Sequence, residues 1–166
     1  METTCYGVAM ETRDHPAGLY PLFSALTRLE TELWDAVDVR LRSECGLPLG
    51  RYEAMAVIAS LGTCRVFDIG SALAITVGGA SKLIDRVEAA GYCSRSMNPG
   101  DRRSSLLVLT PAGAEVLERG RKVVEAELAN WFTPALTTRD AGTLLDLLTR
   151  VRTAQRPAPA PKAAGE

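Results

Sequence analysis

Between residues 65 and 113 the chain packs two short helical segments, a tight step and a turn-centred pair of strand-like runs into fewer than fifty residues. Residues 66–73 place Ile69, Ala72 and Leu73 at helical spacing, and Ala74-Ile75 then breaks the repeat. Thr76 is a capping type of residue, and the segment after it repeats Ala80, Leu83, Ile84 and Val87 on one side before Gly91 closes it. Residues 92–97 and 104–109 read as two strands around Asn98-Pro99-Gly100-Asp101, a strong turn signal. Helix, turn, helix and hairpin in this order predict a helix-turn-helix with a basic wing, a shape that offers one part to each groove of DNA.

The flanks are of a different kind. Leu22, Leu26, Leu29, Leu33, Val37 and Leu41 recur at three- and four-residue steps and mark one long helix, ended by Gly46 and Pro48. Residues 51–61 form a second helix with Tyr52, Met55, Ile58 and Ala59 on its apolar side. Thr110-Pro111 is an N-cap followed by proline at the first helical position. The helix it opens carries Val116, Leu117, Val123, Val124, Leu128 and Trp131, and Pro134 breaks it. Residues 139–152 form a last helix with Leu144, Leu145, Leu147, Leu148 and Val151.

The expected architecture is mainly α (α+β). A loose arm (1–17) and an N-terminal dimerisation helix (18–48) lead into the winged head (49–110). C-terminal dimerisation helices (111–153) and a disordered Pro/Ala tail (154–166) follow. Long terminal helices with apolar stripes, flanking a small head, need a partner for those stripes and predict a homodimer.

Charge is unevenly spread. The 166-residue chain has a net charge of −1, yet Lys and Arg against Asp and Glu number 5 and 9 over residues 1–64, 6 and 4 over 65–103, and 8 and 7 over 104–166. The reading head is therefore positive while the N-terminal part repels phosphate, which fits specific DNA binding better than promiscuous coating. No apolar run approaches the ~20 residues of a membrane helix and no signal peptide opens the chain, so a cytoplasmic protein without membrane contact is expected. Cys5, Cys45, Cys64 and Cys93 are scattered and His15 is the one histidine, so neither a metal site nor a cofactor follows. No nucleophile–base pair or carboxylate cluster can be named, and an enzyme is not expected.

Subtracting the apolar side of the second head helix leaves Thr76, Gly78, Gly79, Ser81, Lys82, Asp85 and Arg86 outward, where a recognition helix meets bases and phosphates. Gly78 and Gly79 are poor helix formers whose missing side chains would let the helix N-terminus approach DNA closely. At the hairpin tip Arg102 and Arg103 suit the narrow minor groove, with Asp101 holding a neighbouring arginine in one rotamer.

Leu73-Ala74, the run Asp85-Arg86-Val87-Glu88-Ala89-Ala90-Gly91, then Arg95, Asp101-Arg102-Arg103 and Leu109-Thr110-Pro111-Ala112-Gly113 together closely resemble the MarR family of bacterial transcriptional regulators. The resemblance covers about residues 20–153 and rests on a D-x-R wing followed, after a strand, by L-T-x-x-G. It implies a homodimer with intertwined terminal helices, two winged heads on a pseudo-palindromic double-stranded operator, and repression. Arg103 would be the minor-groove arginine and Asp101 its support; Ser81, Lys82 and Arg86 fall where the family contacts bases and phosphates. The double glycine is less usual there.

The resemblance further implies release from DNA by a small phenolic or other lipophilic effector, or by thiol oxidation. Phe23, Trp34 and Tyr52 are the candidates to line a ligand cleft, although aromatics at helical spacing are more often core. Cys64, next to Arg65, is the candidate redox sensor on charge grounds. A protein that keeps this fold but has lost DNA binding and titrates another regulator is the alternative of a different class.

Overall fold

The computed structural model describes residues 18–100 and 104–154. The first helix, α1 (Tyr20–Cys45), ends on Gly46 in the left-handed region, whose N–H returns to the Arg42 carbonyl. Next come α2 (Leu49–Leu61), α3 (Val66–Ala72) and α4 (Val77–Ala89), then strands β1 (Cys93–Met97) and β2 (Ser105–Leu109). Helices α5 (Pro111–Phe132) and α6 (Thr138–Ala154) complete the described chain. Each predicted element is present with ends shifted by a residue or two, and the last helix extends to Ala154, the first residue of the predicted tail. The rest of the predicted arm and tail, residues 1–17 and 155–166, lies outside the described residues.

One core binds the head to the helical flanks. Leu41 and Leu47, Met55 and Ile58 of α2, Ile69 of α3, Ile84 and Val87 of α4 and Leu107 of β2 are fully buried. The C-terminal half of α1 packs on α5, and α2 packs on α4, α5 and β2. Asp38 in α1 accepts the Leu49 N–H at 2.7 Å, so a carboxylate from one helix caps the start of the next. Burial raises that carboxyl, but the Arg42 guanidinium and the Leu49 N–H outweigh it and hold Asp38 below the ordinary carboxylate range. Between α1 and α5, Arg40 reaches Glu127 at 2.7 Å, and Glu127 also accepts the Trp131 indole N–H.

The strands form a two-stranded antiparallel hairpin in register Cys93↔Leu109 to Met97↔Ser105. Cys64 bridges to the other side of β2, its N–H donating to the Leu107 carbonyl at 3.2 Å and its carbonyl accepting the Leu107 N–H at 2.8 Å. At the start of α5, Thr110 accepts the Gly113 N–H, as a capping threonine should. Gly113 is required by close approach: a Cβ there would lie 2.0 Å from the Tyr92 carbonyl oxygen.

The outer parts of the helical flanks find no such cover. Tyr20, Leu22 and Phe23 in α1, and Leu145, Leu147 and Val151 in α6, are all at least half exposed, and no residue of α6 is buried. Among the described residues no single helix is long and apolar enough to cross a membrane.

Candidate nucleic-acid interface

Helices α3 and α4 meet at a bend of 112°, within the range of a helix-turn-helix. The step between them depends on Ala74, the one described non-glycine residue with positive φ (54°), and on the Ile75 N–H donating to the Gly70 carbonyl at 3.0 Å. Gly70 lets that turn close, since a Cβ at this position would sit 3.2 Å from the Ile75 carbonyl oxygen. Thr76 then caps α4 by accepting the Gly79 N–H at 3.1 Å. The buried side of α4 is Ala80, Ile84 and Val87, with Leu83 half-buried.

The opposite side is open. Thr76, Gly78, Gly79, Lys82 and Arg86 are exposed along one helix face, while Ser81 is half-buried beside them. Lys82 and Arg86 form no ion pair among the described residues. Next to Arg86, a cleft of about 360 Å³ runs between α1, α2 and α4, with Arg42 and Arg51 also on its walls. Arg42 is held by Asp38 at 2.5 Å, whereas Arg51 has no such partner among the described residues and adds positive charge close to the recognition helix. Sequence reading passed over Arg51, because only the packing of α2 on α4 brings it there.

Arg95 was legible only as part of a motif. Its guanidinium pairs with Asp85, and its Nε lies 3.0 Å from Glu88 without the alignment of a hydrogen bond. Both carboxylates belong to α4, so Arg95 ties the first wing strand to the recognition helix. Asp85, expected on the outward side of the helix, is exposed there and takes Arg95 as its partner. At the turn, Asn98 donates to the Ser104 hydroxyl at 2.8 Å and accepts the Gly100 N–H at 3.0 Å. Asp101, Arg102 and Arg103 lie outside the described residues.

The ligand and redox candidates fare differently. Trp34 is 43% exposed and lines a cleft between α1, α2 and α5. Tyr52 is buried in the core, where a Cβ on Gly120 would come within 3.0 Å of its ring. Phe23 is exposed about 16 Å along the helix axis from Trp34, with its ring centroid 6.3 Å from that of Tyr20. The three aromatics therefore line no common cleft. Helical spacing put them on one chain of reasoning, but Phe23 faces outward and Tyr52 packs inward.

Cys64 corrects the redox expectation. It is buried, and burial raises its thiol above the ordinary value, with Asp68 adding to the rise. Cys93 is also buried, and burial, then Glu88, push it up to about 11 despite Arg95.

A winged helix-turn-helix is thus the class that the fold and its exposed face define. Residues 47–105 match the model of the MarR family. The multiple antibiotic resistance protein MarR of Escherichia coli is 28% identical over 116 residues, covering 68% of this chain and 81% of that protein. A MarR-family transcriptional regulator from Streptomyces coelicolor, solved in complex with DNA, superposes with a TM-score of 0.77 at 23% identity, covering 86% of this chain and 91% of that one. BpsR of Bordetella bronchiseptica, whose DNA binding is regulated by 6-hydroxynicotinic acid, gives a TM-score of 0.71 at 22% identity over 80% of this chain and 98% of its own. Residues 47–105 thus carry a MarR-family domain, and over most of its length the chain is similar to MarR-family transcriptional regulators.

Proposed function

We propose that the chain is a homodimeric, sequence-specific repressor that binds a pseudo-palindromic operator and releases it when a small lipophilic effector binds, acting in the cytoplasm. The observation that carries this reading is the open face of α4. Its N-terminal half presents a capped, side-chain-poor surface at Thr76, Gly78 and Gly79, followed by Lys82 and Arg86 without ion-pair partners among the described residues. Two exposed cations beside a side-chain-poor helix start offer phosphates and base edges a positive, accessible surface. Base edges would be met by Ser81 and Lys82 and phosphates by Arg86, with Arg51 in support. Arg102 and Arg103 of the wing tip would enter the minor groove, with Asp101 holding them.

Selection of genomic DNA fragments by the reduced, purified chain tests the reading. A short enriched palindrome is the expected result. On that operator, Lys82→Ala should weaken binding by roughly tenfold and lower the salt slope by about one contact, and Arg103→Ala should do the same. No enriched sequence at moderate salt would favour the interaction-protein alternative instead. Unchanged binding by Lys82→Ala would show that a different face of α4 meets DNA.

A further inference from the structure

Helices α1, α2 and α5 line a second cleft, of about 200 Å³, which shares Trp34 with the arginine-lined one. Leu33 and Val37, Leu49, and Val124 and Leu128 give it apolar walls from all three helices. Its polar groups are of one sign: Glu53 from α2 and Glu30 from α1, with neither lysine nor arginine on the walls. Glu53 is half-buried and forms no hydrogen bond or ion pair among the described residues, and burial raises its carboxyl above the ordinary glutamate range. A half-buried carboxylate against hydrocarbon costs stability unless something of opposite charge meets it. Trp34 presents an exposed indole at the same cleft, the best aromatic surface for a cation.

We infer that this cleft binds a small lipophilic organic cation, a one-ring amine whose ammonium group meets Glu53 and whose ring lies among Leu33, Val37, Val124 and Leu128. The inference rests on the proposed release of DNA by a small effector and names that effector's class. Size agrees, because a cavity of about 150 Å³ accommodates a benzene ring and this one is somewhat larger. Charge selects among one-ring ligands. An aromatic acid of equal size would bring its carboxylate beside Glu53 and Glu30, with no cation on the walls to offset the repulsion. A neutral alcohol would leave Glu53 without a counter-charge. The cleft is also placed to act on DNA reading, since α2 forms one of its walls and also packs against α4.

Calorimetric titration of the DNA-free full chain with phenethylammonium, 2-phenylethanol and phenylacetate separates the three charges at constant shape. The amine should bind at least roughly tenfold tighter than either isostere. Glu53→Gln should remove that preference while circular dichroism and binding of the neutral alcohol stay unchanged, and Glu30→Gln should remove a smaller part of it. Equal affinities, tighter binding of phenylacetate, no binding of any probe at millimolar concentration, or a preference that survives Glu53→Gln would each overturn the inference. Operator release is scored separately. Amine binding that leaves operator binding unchanged upholds the site and removes its effector role. Amine binding in a chain that selects no operator upholds the site and removes the DNA reading.

Discussion

Gly78 has open space where a side chain would stand: an added Cβ meets nothing within 4 Å. Nothing in the fold therefore requires glycine there, and a helix disfavours it relative to alanine by about 1 kcal/mol in its interior and by less in the first turn, where residue 78 stands. Gly78→Ala should raise thermal stability by up to about that amount and weaken operator binding, because the methyl group would stand between the helix and DNA. Melting curves and fluorescence anisotropy on the two proteins check both signs, and a variant that is more stable with undiminished affinity would exclude close approach at this residue. Glu53 makes the converse case, a residue that costs stability. Its folded pKa lies above the ordinary value, so its favourable contribution is complete below the unfolded pKa and is lost as pH rises through the folded one. Glu53→Gln should accordingly melt a few degrees higher than the parent near neutral pH, with the gap closing under acid where both side chains are neutral. A gap independent of pH would mean that the carboxylate is not what destabilises the parent. At this scale the sequence was legible where the chemistry is local. Thr76 and Thr110 were readable as caps because a capping hydroxyl serves an N–H three residues away. The demand for glycine at 113 was not, since it comes from the Tyr92 carbonyl, twenty-one residues earlier, and the burial of Cys64 depends on Leu107 of β2, forty-three residues later.

Elements were recovered through periodicity, which survives wherever one face is buried, and their ends through caps and prolines. What periodicity does not carry is how one element is held against another. The wing strand β1 and the recognition helix α4 are joined by Arg95, with Asp85 and Glu88 as partners. These groups are partly solvated, so the ion pairs themselves add only about 0–1 kcal/mol to stability. On the proposed reading, their value would lie in fixing the angle at which the wing leaves the head when α4 enters the major groove. Arg95→Ala should therefore leave the melting temperature nearly unchanged and weaken operator binding by roughly tenfold, through faster dissociation. Asp85→Asn should weaken it in the same direction. The double variant should lose less than the sum of the two, since both break one tie. Strictly additive losses would place Arg95 on the DNA itself rather than on α4. Helical geometry puts Asp85 on the outward face, where it stays exposed, and only the packing of β1 on α4 reveals its arginine partner.

At the scale of the whole molecule, the apolar stripes foreseen in the terminal helices divide into two parts. Val37 and Leu41 of α1 are spent inside the core, against α5. The stripe continues past them to Leu29, Leu26, Phe23, Leu22 and Tyr20, which stay exposed, as do Leu145, Leu147, Leu148 and Val151 of α6. An exposed face of this kind on two helices is costly in water for a lone chain and inexpensive in a dimer, where each protomer covers the other. The chain should sediment as a dimer at micromolar concentration, and Leu145→Glu with Leu148→Glu should shift it to monomer with the helical signal of the head retained. In the proposed dimer, two heads on one rigid body would bring a second recognition helix to a half-site about 34–36 Å away, and joining them would make the second contact intramolecular, typically worth 10²–10⁴ in affinity. The double variant should therefore bind an isolated half-site as well as the parent does, yet lose about 10²-fold or more on the full operator. A parent that is monomeric, or a monomeric variant with full operator affinity, would show that a single head carries the recognition and that these faces serve some other contact. Equal half-site affinity is the sharper measurement of the pair, because a variant with a damaged head would fail on both DNAs, whereas one that has lost only its partner fails on the operator alone.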